Sequence, residues 1–380
     1  MITLIRNAKL LVPGSKKKTD ILFNDRVIEI GEGLNPKIGD LHEIDAEGKY
    51  LSPGLIDQHM HLIGAGGKFG FASLTPEIML SDLLLSGLTT VVGTLGTDGA
   101  TRSVKTLYAK TRSLVDEGIS AYMYTNYFGL PPVTITGSVL DDMVFIDRVL
   151  GCKIAISDER SSYPTEKQLL DLLHDVRIGG LVSGKGGILH VHLGALETRI
   201  QPLLNLVKKY NFPIRNISPT HVGRTEKLFY HSLEFAKLGG MIDITTGASK
   251  FTDPFEQVLL ALEEGVAVDY ITFSSDSHAG LSVVNEEGQL VRLKTAPMTE
   301  NYGQVRELIA TGKVAPSEAF KLITLNPAKN LGLKQKGRIA TDLDADFTLF
   351  NSEFEITDVI AGGKLMMHDQ KLLKTGSYEA

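Results

Sequence analysis

Hydrophobic and polar positions change their period twice along the chain. From residue 1 to about 52 the apolar residues come in short runs, Ile2-Thr3-Leu4-Ile5, Ile21-Leu22-Phe23 and Val27-Ile28-Glu29-Ile30, separated by turn chemistry such as Asn24-Asp25 and Gly31-Glu32-Gly33. No helical period interrupts these predicted strands. The same texture returns from about 336, in Arg338-Ile339, 345–350, Val359-Ile360-Ala361 and Lys364-Leu365-Met366. The two chain ends, 1–52 and 334–380, are therefore expected to build one small β-sandwich domain. Between them, over 53–333, amphipathic helices alternate with apolar strands. Thr75-Pro76-Glu77 offers an N-cap followed by proline at the first helical position, for a helix running to Gly87 and leading into strand 89–94. Later units pair helix 102–117 with strand 119–124, 165–176 with 187–193, 199–210 with 213–218, 225–238 with 241–246, and 254–264 with 269–275. Units of about 25 to 40 residues are what a parallel sheet with crossover helices requires. This alternation suits an open doubly wound sheet as well as a closed barrel, so the choice falls to the chemistry.

Composition narrows the picture. The length of 380 residues fits a barrel of typical size plus a modest second unit, and 43% apolar against 22% charged residues excludes disorder. A net charge of −6, with no basic cluster beyond the solvated turn expected at Lys16-Lys17-Lys18, argues against nucleic acid or an anionic membrane as partner. The single cysteine, Cys152, excludes an internal disulfide and a cysteine-only metal site, and it fits a reducing compartment. With neither a signal peptide nor an apolar run of about 18 residues, the expectation is a soluble cytoplasmic protein.

The chemistry gathers at predicted strand ends. In Gly54-Leu55-Ile56-Asp57-Gln58-His59-Met60-His61 two histidines sit two positions apart, on one face of a strand. His192, His221 and Asp276 each follow a separate predicted strand. One histidine at a strand end is usually a rim residue. Several, converging with an aspartate on one barrel mouth, match a catalytic metal site. Four histidines with Asp276 suggest two metals, which need a bridging anion, and no glutamate sits at a suitable strand end. Lys153 interrupts the apolar stretch 149–156. A buried ammonium there either pairs with a buried carboxylate, the simpler reading, or loses its proton and adds carbon dioxide to become a carbamate.

Gly54 to His61, Lys153, Pro219-Thr220-His221-Val222 and Ser274-Ser275-Asp276 together resemble the amidohydrolase superfamily, and more narrowly its isoaspartyl dipeptidase family. Leu95-Gly96-Thr97-Asp98, Thr134-Ile135-Thr136-Gly137-Ser138, the segment 154–160 and Asp243-Ile244-Thr245 extend the likeness over most of the barrel, and Leu325-Asn326-Pro327-Ala328-Lys329-Asn330-Leu331 fits the wider superfamily. The expected fold is thus α/β, a (β/α)8 TIM-like barrel with a small β-sandwich domain. The resemblance implies two zinc ions, or other divalent metals: His59 and His61 on one, His192 and His221 on the other. It implies carboxylated Lys153 as the bridge, hydroxide as nucleophile, and Asp276 as ligand and proton shuttle. It also suggests a homo-oligomer.

In the substrate pocket the chain departs from that family. Lys68 stands where the family has a glutamate for the substrate's ammonium, Phe128 where it has the tyrosine that polarises the scissile carbonyl, and Gly280 where it has a serine that contacts substrate. Tyr127 could replace the tyrosine if the loop shifts by one residue, and His278 could reach the substrate. Arg160 and Arg224 match two arginines that bind substrate carboxylates, for which guanidinium forks are suited. His190 shares a face with His192 and is expected to be buried behind it, whereas His42, His174, His231 and His368 are read as surface residues. The substrate expected is a small anionic amide or dipeptide. The alternatives are a cyclic amidase of the hydantoinase or dihydroorotase type, an N-acyl amino acid hydrolase, and a catalytically silent scaffold.

Overall fold

The computed structural model describes every residue except 1, 13, 15, 16, 68, 250, 286, 288 and 380. Lys68, and Lys16 of the triple lysine, therefore lie outside the described residues. The N-terminal run forms β1 (Ile2–Leu10), β2 (Lys18–Phe23), β3 (Val27–Gly31), β4 (Leu41–Asp45) and β5 (Tyr50–Pro53). Eight strands follow: β6 (Leu55–Met60), β7 (Leu88–Gly93), β8 (Ser120–Thr125), β9 (Val149–Ile156), β10 (Ile188–Leu193), β11 (Ile217–Thr220), β12 (Ile242–Thr245) and β13 (Ile271–Ser274).

Strands β6 to β13 pair in parallel and in chain order. A doubly wound sheet would instead place its first strand in the interior. The outer members meet: Met60 bridges Ser277 in parallel, and the His61 amide donates to the Ser277 carbonyl at 2.9 Å. The sheet is thus a nearly closed (β/α)8 barrel. Its strands are buried on both faces, as continuous apolar runs covered by helices must be.

Three local expectations shift. The helix expected over 75–87 covers only Leu80–Leu85, because Thr75 does not cap it. Its hydroxyl instead accepts from the Ala65 amide and donates to the His278 carbonyl, both at 2.6 Å, tying down the loop under the barrel mouth. The helix expected to stop near 176 runs as Glu166–Ser183 through Gly179 and Gly180, where a Cβ would come within 2.4 Å of Met143 and 2.8 Å of Gly187. Glycine is there for close approach, not as a breaker. Finally, β13 is followed by a hairpin the periodicity does not announce, β14 (Gly280–Val284) and β15 (Leu290–Thr295).

The tail adds β16 (Phe347–Phe350), β17 (Ile356–Ala361), β18 (Lys364–His368) and β19 (Lys371–Leu372), which join β1 to β5 in one nine-stranded sheet. The Phe23 and Phe347 rings meet edge to face at 5.3 Å, although β2 and β16 are three strand spacings apart along the sheet order. A flat sheet would separate them by about 14 Å. The sheet therefore curls over an apolar cluster of Ile5, Phe23, Leu51, Phe347 and Ile360. Gly54 joins it to the barrel: its amide donates to the Asp346 carbonyl, and a Cβ there would sit 2.0 Å from Thr89 Oγ1 and 2.9 Å from the Asp346 Cβ. Gly54→Ala is expected to cost about 1–3 kcal/mol, read as a lower urea midpoint at unchanged slope.

Candidate active site

Strand alternation points His59, near the end of β6, into the barrel, and His61 follows just beyond the strand. Both imidazoles address one carboxylate oxygen. His61 Nε2 donates to Asp276 Oδ1 at 3.0 Å, and His59 Nε2 lies 3.3 Å from the same atom. Asp276 and His221 follow β13 and β11 in the left-handed conformation, φ 53° and 64°, uncommon for residues other than glycine. The His221 ring lies 5.0 Å from that of His59, and its Nδ1 pairs with Thr245 Oγ1 at 2.5 Å. Ligand atoms of His59, His221 and Asp276 all lie within 4.8 Å of one another.

Lys153 enters from β9, fully buried, with Nζ 3.2 and 3.4 Å from the two ring nitrogens of His59. It makes no ion pair among the described residues, which removes the observation that a structural lysine–carboxylate pair would need. Burial pushes its ammonium down to about 7. His192 sits beside the cluster: its ring is 4.5 Å from His221, and its Nε2 donates to Asp158 Oδ2 at 2.9 Å. Ligation through Nε2 requires exchanging that bond.

The electrostatics suit a cation. Burial pushes the His59 imidazole down to about 3 and holds His190, His192 and His221 well below the usual range, so these rings are neutral. For Asp276 burial acts upward, but the bonds from His59 and His61 overcome it and hold the carboxyl well below the usual range. Neutral imidazoles beside a carboxylate are the protonation states a divalent metal needs. His61 Nδ1 is in addition buried without a hydrogen-bond partner. The donor set fits a metal.

Behind the site runs a polar chain. The β9–β10 register pairs Lys153 with His190, which stacks on Tyr124 at 4.6 Å. His190 Nε2 meets His59 Nδ1 at 3.0 Å, and its Nδ1 meets Ser218 Oγ at 3.1 Å. Asn330, in the helix Leu325–Leu331, donates to Ser218 Oγ and to Gln58 Oε1, and Gln58 in turn donates to Asp243. The asparagine of the C-terminal segment thus fixes the orientation of a site histidine.

The mouth opens into a cavity of about 360 Å³ lined by His59, His61, His192, His221, Asp276, Phe128, Arg160, Arg224 and Gly280. Arg160 forks onto Asp158 at 2.8 and 2.6 Å and lies over the Phe128 ring at 5.5 Å. Arg224 Nε is buried without a partner. Phe128, not Tyr127, lines the cavity, its ring 4.4 Å from His192. Tyr127 instead packs against Gly99 and Gly129, where a Cβ would come within 2.8 and 2.6 Å of its side chain. The one-residue shift that would bring its hydroxyl in does not occur. His278 also stays out of the cavity lining, its Nδ1 donating to the Pro76 carbonyl at 2.8 Å. Sequence reading missed Asp158, which holds both His192 and Arg160, Thr245 on His221, and Lys294 in the cavity wall. The first two fall in segments that carry the family likeness, whereas Lys294 has no local signal.

A sequence model of the amidohydrolase family matches residues 219–366. A β-aspartyl dipeptidase from Fervidobacterium islandicum AW-1, solved with a β-Asp-Leu dipeptide, superposes with a TM-score of 0.93 at 41% identity, over 100% of both chains. The chain belongs to the amidohydrolase superfamily, in its isoaspartyl dipeptidase family. A more distant solved structure shares the fold: the dihydropyrimidinase of Brevibacillus agri NCHU1002 has a TM-score of 0.70 at 17% identity, over 99% of this chain and 97% of that one. An adenine deaminase of Clostridium perfringens is 23% identical over 99% of this chain, which spans 60% of that relative's length. In this amidohydrolase His190 orients His59, so His190→Phe should keep the fold and weaken metal retention by about 10- to 100-fold, measured by competition with a chromophoric chelator.

Proposed function

We propose that this amidohydrolase is a binuclear, zinc-dependent hydrolase that cleaves the amide bond of a small anionic substrate of the β-aspartyl dipeptide class, in the cytoplasm and as a homo-oligomer. One observation carries the reading: His59, His61, His221 and Asp276 converge, with buried Lys153 behind them, at the mouth of a barrel in a chain that is 41% identical along its whole length to a β-aspartyl dipeptidase. His59, His61, His192, His221 and Asp276 would hold the metals, with Lys153 as carbamate between them. When bound, the metals would supply Lewis acidity toward the scissile carbonyl and lower the pKa of water.

The chain's own residues do the rest. Asp276, ionised at neutral pH, accepts a proton from the attacking water and returns it to the leaving nitrogen. His61 and His59 hold that carboxylate in one orientation. Arg224, with an unpartnered Nε at the cavity wall, takes a substrate carboxylate, while Arg160, already forked onto Asp158, sets the position of His192. Phe128 contributes an apolar wall and no hydrogen bond to the scissile carbonyl.

A substrate panel on zinc-supplemented protein tests the reading. Turnover is expected on β-aspartyl dipeptides, ahead of N-acyl amino acids, with none on hydantoins or dihydroorotate. Activity confined to the cyclic amides would overturn it, as would well below one equivalent of zinc retained after supplementation.

A further inference from the structure

The segment after β7 reaches across to the segment after β6. Asp98 fixes its turn by accepting from the Ala100 and Thr101 amides at 2.9 and 2.8 Å, and Arg102 follows, just ahead of the helix Val104–Glu117 that Ser103 caps. The Arg102 guanidinium donates through Nη1 to the Ile63 carbonyl and through Nη2 to the Thr75 carbonyl, the latter at 3.0 Å. Those two carbonyls stand at the two ends of the loop that begins beyond His61.

The ends of that loop lie against each other as a narrow ribbon. The Thr75 amide donates to the Ala65 carbonyl at 2.8 Å, the Gly67 amide donates to the Ser73 carbonyl at 3.2 Å, and Gly66 bridges Leu74. A Cβ at Gly64 would come 2.2 Å from the Thr75 carbonyl oxygen, and one at Gly66 would come 2.3 Å from that of Ser73, so glycine is what lets the backbones approach this closely. A two-stranded ribbon is marginal by itself in water. Ala65 and Gly66 nevertheless line the active-site cavity, where a binding wall must hold its shape before substrate arrives. Thr75 carries the contact onward: its hydroxyl donates at 2.6 Å to the carbonyl of His278, in the turn that bears Asp276. A Cβ at Gly280, in the same turn, would stand 3.1 Å from the Gly66 Cα. Arg102 thus grips the element that walls the cavity and braces the Asp276 turn, without itself lining the cavity.

We propose that Arg102 is a positioning residue for the reaction: it ties both ends of this loop to the segment after β7 and so presents a preformed cavity wall to the substrate. The inference rests on the amide-hydrolase reading above for its kinetic test alone. A guanidinium suits the task because its planar fork reaches two acceptors at once, where an ammonium is a single point of charge.

Hydrogen exchange and steady-state kinetics test it on zinc-loaded protein. Arg102→Met keeps the stem and removes the donors. In that variant the amides of residues 65–67 and 73–75 are expected to exchange about tenfold faster, with those of the helix Val104–Glu117 unaltered. KM for the amide that wild type cleaves should rise about tenfold while kcat falls less than about threefold, because the wall is loosened and the proton-transferring carboxylate is kept. Arg102→Lys, with its charge retained but its fork lost, should lie between wild type and Arg102→Met in both readouts. A residue needed only for folding would instead lower the active fraction at constant KM and speed exchange in the helix as much as in the ribbon. That outcome overturns the proposal, as does unaltered ribbon exchange, or faster ribbon exchange with KM unchanged, in either variant. If exchange and KM move together as expected but the amide cleaved is not a β-aspartyl dipeptide, the proposed function fails and the clamp stands.

Discussion

Replacing Asp276 with asparagine is expected to lower kcat by about a thousandfold while leaving the barrel folded. The amide has the shape of the carboxylate and can still accept from His61 Nε2, now 3.0 Å from Oδ1. It cannot take up a proton at neutral pH. In the native site the bonds from His59 and His61 outweigh burial and keep the carboxyl ionised, so a base is ready before substrate arrives. Because Asp276 is also a proposed metal ligand, zinc content is measured beside kcat. Retained zinc with lost turnover isolates the proton transfer. A variant that keeps more than a tenth of kcat would remove Asp276 from that role.

The reach of the sequence is clearest at Asp276 and its neighbours. His59, His61, His192, His221 and Asp276 were legible because each ends a strand whose apolar run is local, and barrel geometry brings parallel strand ends together. Thr75 shows the opposite case. Its sequence context reads as a helix cap, but the partners that claim its hydroxyl are Ala65 and His278, and the second lies 203 residues away. No window of neighbouring residues contains that competition. Tyr127 and Phe128 were likewise indistinguishable along the chain. Only the backbone around Gly99 and Gly129 decides which ring enters the cavity. Lys294 was invisible for a further reason: on an exposed strand a lysine is ordinary, and only the folded chain shows that this one lines the cavity.

Lys153 is where sequence physics and family resemblance disagreed, and Lys153→Ala is expected to abolish turnover, by about a thousandfold or about 4 kcal/mol of barrier. The simpler physical reading was an ion pair with a buried carboxylate. Among the described residues no such pair forms around the side chain, and its nearest polar partner there is His59 at 3.2 Å. Burial pushes the amine down to about 7, from an ordinary 10.5, so at pH 8 about nine-tenths is unprotonated, where an exposed lysine would have well under ~1%. An unprotonated amine can add carbon dioxide and lose a proton, yielding an anionic ligand with two oxygens. Alanine removes that ligand and leaves room for another, so acetate or propionate should partly restore activity and zinc binding together. Lys153→Met separates this from a packing role. Methionine restores most of the lost volume without charge, so a lysine needed only for packing predicts an active methionine variant. The bridging role predicts an inactive one that carboxylates do not rescue, because the space they would use is filled. Full activity in either variant without added carboxylate would refute the bridge.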